Sequence, residues 1–132
     1  MKIAICCDFG VPAELMRDAL TVGKALTERG HTVSYVVGDP VSFVEYAGSW
    51  MPSALHQAPV LRAAPHLVMN RPPVDGFADV MSLAGFGDKS TLLCLSSMWK
   101  QLLETINPDA IVALYSPIVW LVGPGHAPTF AM

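Results

Sequence analysis

The segment from residue 2 to residue 37 constrains this chain more than any other. It opens with "KIAICC", residues 2–7, an unbroken apolar run of strand length, the kind expected of a central strand covered on both faces. From Ala13 to Arg29, apolar residues recur at Leu15, Ala19, Val22 and Leu26, a spacing that puts them on one stripe of a helix. Pro12 suits the first turn, Glu14 suits the positive helix N-terminus, and Gly30 suits the left-handed residue after the last turn. "HTVSYVVGD" then reads as a second strand, with Val33, Tyr35 and Val37 alternating and Asp39-Pro40 ending it. Strand, helix and strand in that order make a βαβ unit, whose two strands are parallel. The fold class is therefore α/β, a parallel sheet between helical layers.

The rest of the chain supplies further units of the same kind. Residues 41–48 predict a short helix ending at Gly48, and "SALHQAPVL" predicts a third strand before Pro59. From 59 to 74 the prolines are too dense for a regular element, so an irregular surface segment is expected. "DGFADVMSLAGFG" predicts a short helix. A longer one follows from Asp88 to Ile106, with Leu92, Leu95, Trp99, Leu102 and Ile106 along its apolar face, Asp88 or Ser90 as cap, and Asn107-Pro108 as stop. "AIVALY", 110–115, predicts another buried strand, then come Ser116-Pro117, a helix-like turn to Gly123, and "PTFAM" as the beginning of a further strand.

At 132 residues the chain has the size of one domain, and its 52% apolar content predicts that it folds. A net charge of −3 without a Lys/Arg run argues against nucleic acid as a partner. No apolar stretch reaches the ~18 residues of a spanning helix, so no integral membrane segment is expected and a cytoplasmic location is. Cys6 and Cys7 are neighbours on a strand and point to opposite faces, which makes buried thiols the expectation rather than a disulfide framework. The histidines His56, His66 and His126 are expected in loops and lack the short spacings of a metal site, so no metal is expected, and His31 falls at the amino end of the second strand.

Ligands of parallel α/β sheets bind beyond the carboxyl ends of the strands, which directs attention to Asp8 to Glu14, Gly38 to Pro40 and Tyr115 to Pro117. Asp8 is suited to act as a general base or to orient one, and Glu14 to do the same from the helix start. Each also has a plain structural role open to it: Asp8 as a hydrogen-bonding loop residue, Glu14 as a partner of the helix dipole. The loop after the first strand has only Gly10 where a dinucleotide fingerprint needs three glycines, and the chain contains no P-loop. "YSP" at Ser116 lacks the G-x-S-x-G elbow of hydrolases, which leaves that hydroxyl a positioning role.

"MKIAICCDFG…ALTVGKALTERGHTVSYVVGD" resembles the opening of the two-domain GT-B glycosyltransferases, in particular the branch related to UDP-glucuronosyltransferases and macrolide glycosyltransferases. "KALTERGHTV" is similar to their helix-to-strand turn. "SSMWKQLLETINPDAIVALYSP" is similar to their Trp-containing helix, Pro-Asp strand and following Ser-Pro, while "HQAP" and "GHAPTFAM" fall at a strand end and a strand start.

The resemblance covers nearly the whole chain. It implies a Rossmann-like three-layer αβα sandwich, the partial N-terminal, acceptor-side domain of such an enzyme. A donor-binding C-terminal domain is absent from these residues, so the chain is expected to be a truncated piece, inefficient as a transferase alone. The implied whole enzyme moves a sugar from a nucleotide-diphosphate sugar, its co-substrate, to a hydroxyl of a small-molecule acceptor, with no metal and no other cofactor.

Phe9, Gly10, Tyr115 and Ser116 are then expected to contact the acceptor. Many members carry a His as base after the first strand, whereas here "DFGVPAEL" has none, leaving Asp8 and Glu14 as the residues that would substitute. The alternative expectation is a non-catalytic, flavodoxin-like interaction module that self-associates as a homo-oligomer through an unpaired strand edge.

Overall fold

The computed structural model describes residues 1–8, 13–60 and 75–132. Strand β1, Lys2–Cys7, is buried after its first residue. Its side chains alternate between two cores, Ala4 and Cys6 to one and Ile3, Ile5 and Cys7 to the other, which is why the run is apolar without a break. Helix α1 (Ala13–Glu28), β2 (Thr32–Val37), α2 (Pro40–Ala47) and β3 (Ala54–Gln57) follow. After them come α3 (Phe77–Met81), a π-helical turn (Ser82–Phe86), α4 (Lys89–Ile106), β4 (Ala110–Ala113), α5 (Pro117–Val122) and β5 (Thr129–Ala131).

All the strand pairings are parallel, in the order β3-β2-β1-β4-β5. Helices α1 and α2 cover one face through Met16, Ala19 and Phe43; α4 and α5 cover the other through Leu95, Trp99, Leu103, Ile118 and Val119. The result is the three-layer α/β sandwich that the first 37 residues demand. Among the described residues, no helix is long and apolar enough to cross a membrane.

Local chemistry sets the boundaries. Asp39 caps α2, its Oδ1 accepting from the Val41 and Ser42 backbone N–H groups at 3.1 and 3.2 Å. Of the two residues suited to cap α4 it is Asp88 that does so, Oδ2 accepting from Thr91 N at 2.7 Å. Asn107, left-handed at φ 48°, closes that helix.

Four expectations need correction. The buried face of α1 is Met16, Ala19 and Gly23 rather than the stripe through Leu15 and Val22. The helix is turned because Tyr35 rises from β2 against Gly23, where any Cβ would collide with the phenol ring, and donates its hydroxyl to the Ala19 carbonyl at 3.2 Å. Residues 77–86 are two short pieces, not one helix, with Gly85 at φ 99° breaking the second. The fourth strand stops at Ala113, two residues before Tyr115, and His56 lies within β3 rather than in a loop. The segment 61–74 lies outside the described residues.

Candidate functional site

Because every pairing is parallel, all the carboxyl ends meet at one edge of the sheet. The chain leaves β1 toward β2 and β3 on one side, while β4 and β5 lie on the other, so the strand order reverses at β1/β4. A crevice opens at such a point in open α/β sheets. Asp8 directly follows β1, and Leu114, whose N–H donates to the Cys6 carbonyl at 2.8 Å, brings Tyr115 and Ser116 beside it.

Asp8 is the most perturbed carboxyl of this edge. Burial pushes its pKa up from 3.8 to about 6, the direction expected when a charge loses water. The nearby Ser116 hydroxyl and the backbone oppose that rise. The Asp8–Ser116 contact nevertheless falls short of a hydrogen bond: Asp8 Oδ1 and Ser116 Oγ are both buried and both without a partner among the described residues. A buried polar atom left unpaired costs on the order of 1–3 kcal/mol, so two of them side by side call for a reason. The thiols beneath are inert, since burial, with Asp8 adding to it, pushes Cys7 up to about 12 and Cys6 well above its ordinary value.

A cavity of about 370 Å³ opens on Asp8. Gly38 and Asp39 from the end of β2, Met16 from α1, and Ser42 and Tyr46 from α2 share its wall. Gly38 permits the close approach of the two strand ends, because a Cβ there would stand 2.5 Å from the Asp8 carbonyl oxygen. Its own carbonyl accepts from Gln57 Nε2 at 2.8 Å, tying the end of β3 to the same edge. Asp39 is a different carboxylate from Asp8. A 2.6 Å hydrogen bond from the Ser42 hydroxyl, with the helix backbone, holds it below the usual range and ionised.

A larger cavity, about 480 Å³, lies between the end of β3 and α4, with Gln57, Met98, Gln101 and Thr105 in its wall. Its described lining holds no titratable side chain, so the chemistry points to the Asp8 edge.

Of the residues expected from sequence, Asp8 and Ser116 come together, Ser116 being 1% exposed. Tyr115 stands next to them, 56% exposed and held at φ 45°, a left-handed conformation that a bulky residue adopts only under strain. Glu14 sits exposed in the first turn of α1 and is not part of the cavity wall. Phe9 and Gly10 lie outside the described residues. Sequence reasoning passed over Ser42 and Tyr46. Their four-residue spacing, three residues after a capping Asp, was the available signal, since it sets both on the cap side of α2.

No protein-family model matches the chain, and no curated protein matches it. Among solved structures, the crystal structure of Acinetobacter baumannii MurG is similar to it, with a TM-score of 0.58 and 12% identity. The match covers 98% of this chain and 34% of that one, so the chain spans about a third of the length of MurG. At this identity the likeness is one of fold. It supports the Rossmann-like α/β fold and gives no support to the UDP-glucuronosyltransferase and macrolide branch.

Proposed function

We propose that this chain is the acceptor-side, Rossmann-like domain of a GT-B glycosyltransferase and that Asp8 is the base that takes the acceptor's proton. In the reaction, the acceptor hydroxyl gives its proton to the Asp8 carboxylate while its oxygen attacks the anomeric carbon of the sugar. The bond from that carbon to the nucleotide diphosphate breaks, and the diphosphate leaves with the electron pair. Asp8 needs no metal for its part.

The observation that carries this reading is the state of Asp8: a carboxyl at the strand-order reversal, opening on a cavity, with an oxygen that has no partner among the described residues and a pKa of about 6. A base works best when its pKa lies near the working pH, and burial brings Asp8 there from the ordinary carboxylate range. Glu14, exposed and outside the cavity wall, has neither property of place. Tyr115, with its exposed ring beside the crevice, supplies an apolar face for an acceptor ring. The fold likeness to MurG supports the enzyme class, while the motif resemblance alone supports the narrower branch.

Titrating the chain with a panel of hydroxyl-bearing small molecules, followed by amide NMR, tests the acceptor reading. Shifts at Gly38, Ser42, Tyr46 and Ser116 are expected. Binders that move only residues elsewhere, such as Met98 and Gln101, would place the acceptor in the other cavity and remove Asp8 from the reaction.

A further inference from the structure

Ser116 occupies the N-cap position of α5, ahead of Pro117 at the first helical position. Serine is among the best residues there because its hydroxyl oxygen ordinarily accepts a backbone N–H of the first turn. Here the side chain makes no such bond, and its oxygen is buried without a partner among the described residues. The preceding residue, Tyr115, is held at φ 45°, a left-handed conformation that strains a side chain of its size. The backbone thus carries strain next to a buried serine that forgoes its usual local bond. The group nearby is the Asp8 carboxyl, whose Oδ1 likewise has no partner among the described residues.

We propose that Ser116 is a positioning residue for Asp8: its hydroxyl swings to donate a hydrogen bond to the carboxylate once that group ionises, fixing the orientation in which Asp8 receives the acceptor proton. A hydroxyl is suited to this because it rotates freely about its C–O bond and tolerates both states of its neighbour. Toward neutral Asp8 the hydroxyl makes no such charge-assisted bond. Toward ionised Asp8 it makes a short, charge-assisted bond.

Among the described residues, the groups with shifted titration that bear on this carboxyl keep a constant charge between pH 5 and 8. The Cys6 and Cys7 thiols of β1 stay neutral and Asp39 on the α2 side stays ionised, while Tyr46 shares the cavity wall. Glu14 is exposed in the first turn of α1 and is not part of the cavity wall.

The inference rests on Asp8 being the base only for its catalytic meaning, and its test needs no turnover. The titration midpoint of the Asp8 carboxyl is read by carbon-13 NMR in the unmodified chain and in Ser116→Ala and Ser116→Thr. Loss of a hydrogen bond to the charged form raises the midpoint by roughly 1 pH unit in Ser116→Ala, while Ser116→Thr, which keeps the hydroxyl, returns it toward the unmodified value. A midpoint unchanged or lowered in Ser116→Ala overturns the proposal.

If the extra methyl of threonine prevents folding, urea unfolding replaces that variant. Ser116→Ala then costs more stability at pH 8 than at pH 5, and costs the same at both in an Asp8→Asn background. An equal cost at both pH values in the unmodified background overturns the proposal. If these titrations come out as expected while Asp8→Asn retains transferase turnover, the pairing stands and the base assignment falls.

Discussion

The two edges of the sheet handle their polar groups in opposite ways. At the amino edge, Asp109 and Lys2 clamp β1 to β4 reciprocally: the Lys2 N–H donates to Asp109 Oδ2 at 2.7 Å and the Asp109 N–H to the Lys2 carbonyl at 2.8 Å. The Thr32 N–H likewise closes onto the Met1 carbonyl at 2.9 Å. Only His31 Nδ1, in the tight turn after α1, is left buried and without a partner there among the described residues. At the carboxyl edge two oxygens without a partner among the described residues, Asp8 Oδ1 and Ser116 Oγ, stand beside a strained Tyr115 and a cavity. One edge is built to hold the strands in register. The other retains unmet hydrogen-bonding capacity and backbone strain, as sites that act on a ligand commonly do.

The largest expected effect breaks the carboxyl edge directly. In the protein as its gene encodes it, Asp8→Asn lowers nucleotide-sugar transfer by about 100-fold or more, the usual contribution of a general base, read as kcat under saturating substrates. Its stability profile changes as well. The folded chain raises the Asp8 pKa from 3.8 to about 6, so folding favours the neutral form. That contribution is fully present below about pH 3.8 and is lost as pH rises through about 6, leaving ionised Asp8 destabilising by about 2 kcal/mol after discounting for partial exposure. Urea unfolding at pH 5 and pH 7.5 shows the later part of this drop, roughly half of it, in the unmodified chain and not in Asp8→Asn.

The next effect sharpens the contrast through backbone alone. Gly38→Ala forces a Cβ against the Asp8 carbonyl, so the ends of β1 and β2 must part. A loss of about 2 kcal/mol in unfolding free energy is expected. Amide shifts in its spectrum should gather at the carboxyl edge.

On the amino edge, Asp109→Ala removes an exposed clamp and lowers stability by about 1 kcal/mol. The Asp8 titration midpoint stays where it was. A moved midpoint would mean that the two edges are coupled through β1 and β4.

The smallest effect is Tyr115→Gly. Glycine accepts φ 45° without strain, so stability rises by about 0.5 kcal/mol, while acceptor affinity falls with the loss of the ring.

The parts of the fold legible in the sequence are those where one local signal decides. β1 is apolar throughout because both faces are covered, and α4 begins at Asp88 and ends at Asn107 because those residues satisfy its ends. The buried face of α1 was not legible. Gly23 reads as a weak helix residue until Tyr35, twelve positions later, is seen to need the space. The end of β4 was missed for a related reason, since nothing in "ALYSP" says that Tyr115 will be held left-handed.

The site divides in the same way. That Asp8 and Ser116 would reach one edge followed from parallel strands and the residues after them. The raised pKa of Asp8, the uncapped hydroxyl of Ser116 and the wall from Ser42 and Tyr46 depend on packing between elements distant in sequence.

The measurement that tests the central claim most directly is the pH dependence of sugar transfer by the gene-encoded protein, with Asp8→Asn beside it. The account predicts an acid limb in kcat with a midpoint near 6, tracking ionisation of Asp8, and its disappearance together with most of the turnover in Asp8→Asn. A variant that keeps both the turnover and the acid limb would contradict it, and the base would have to be sought elsewhere.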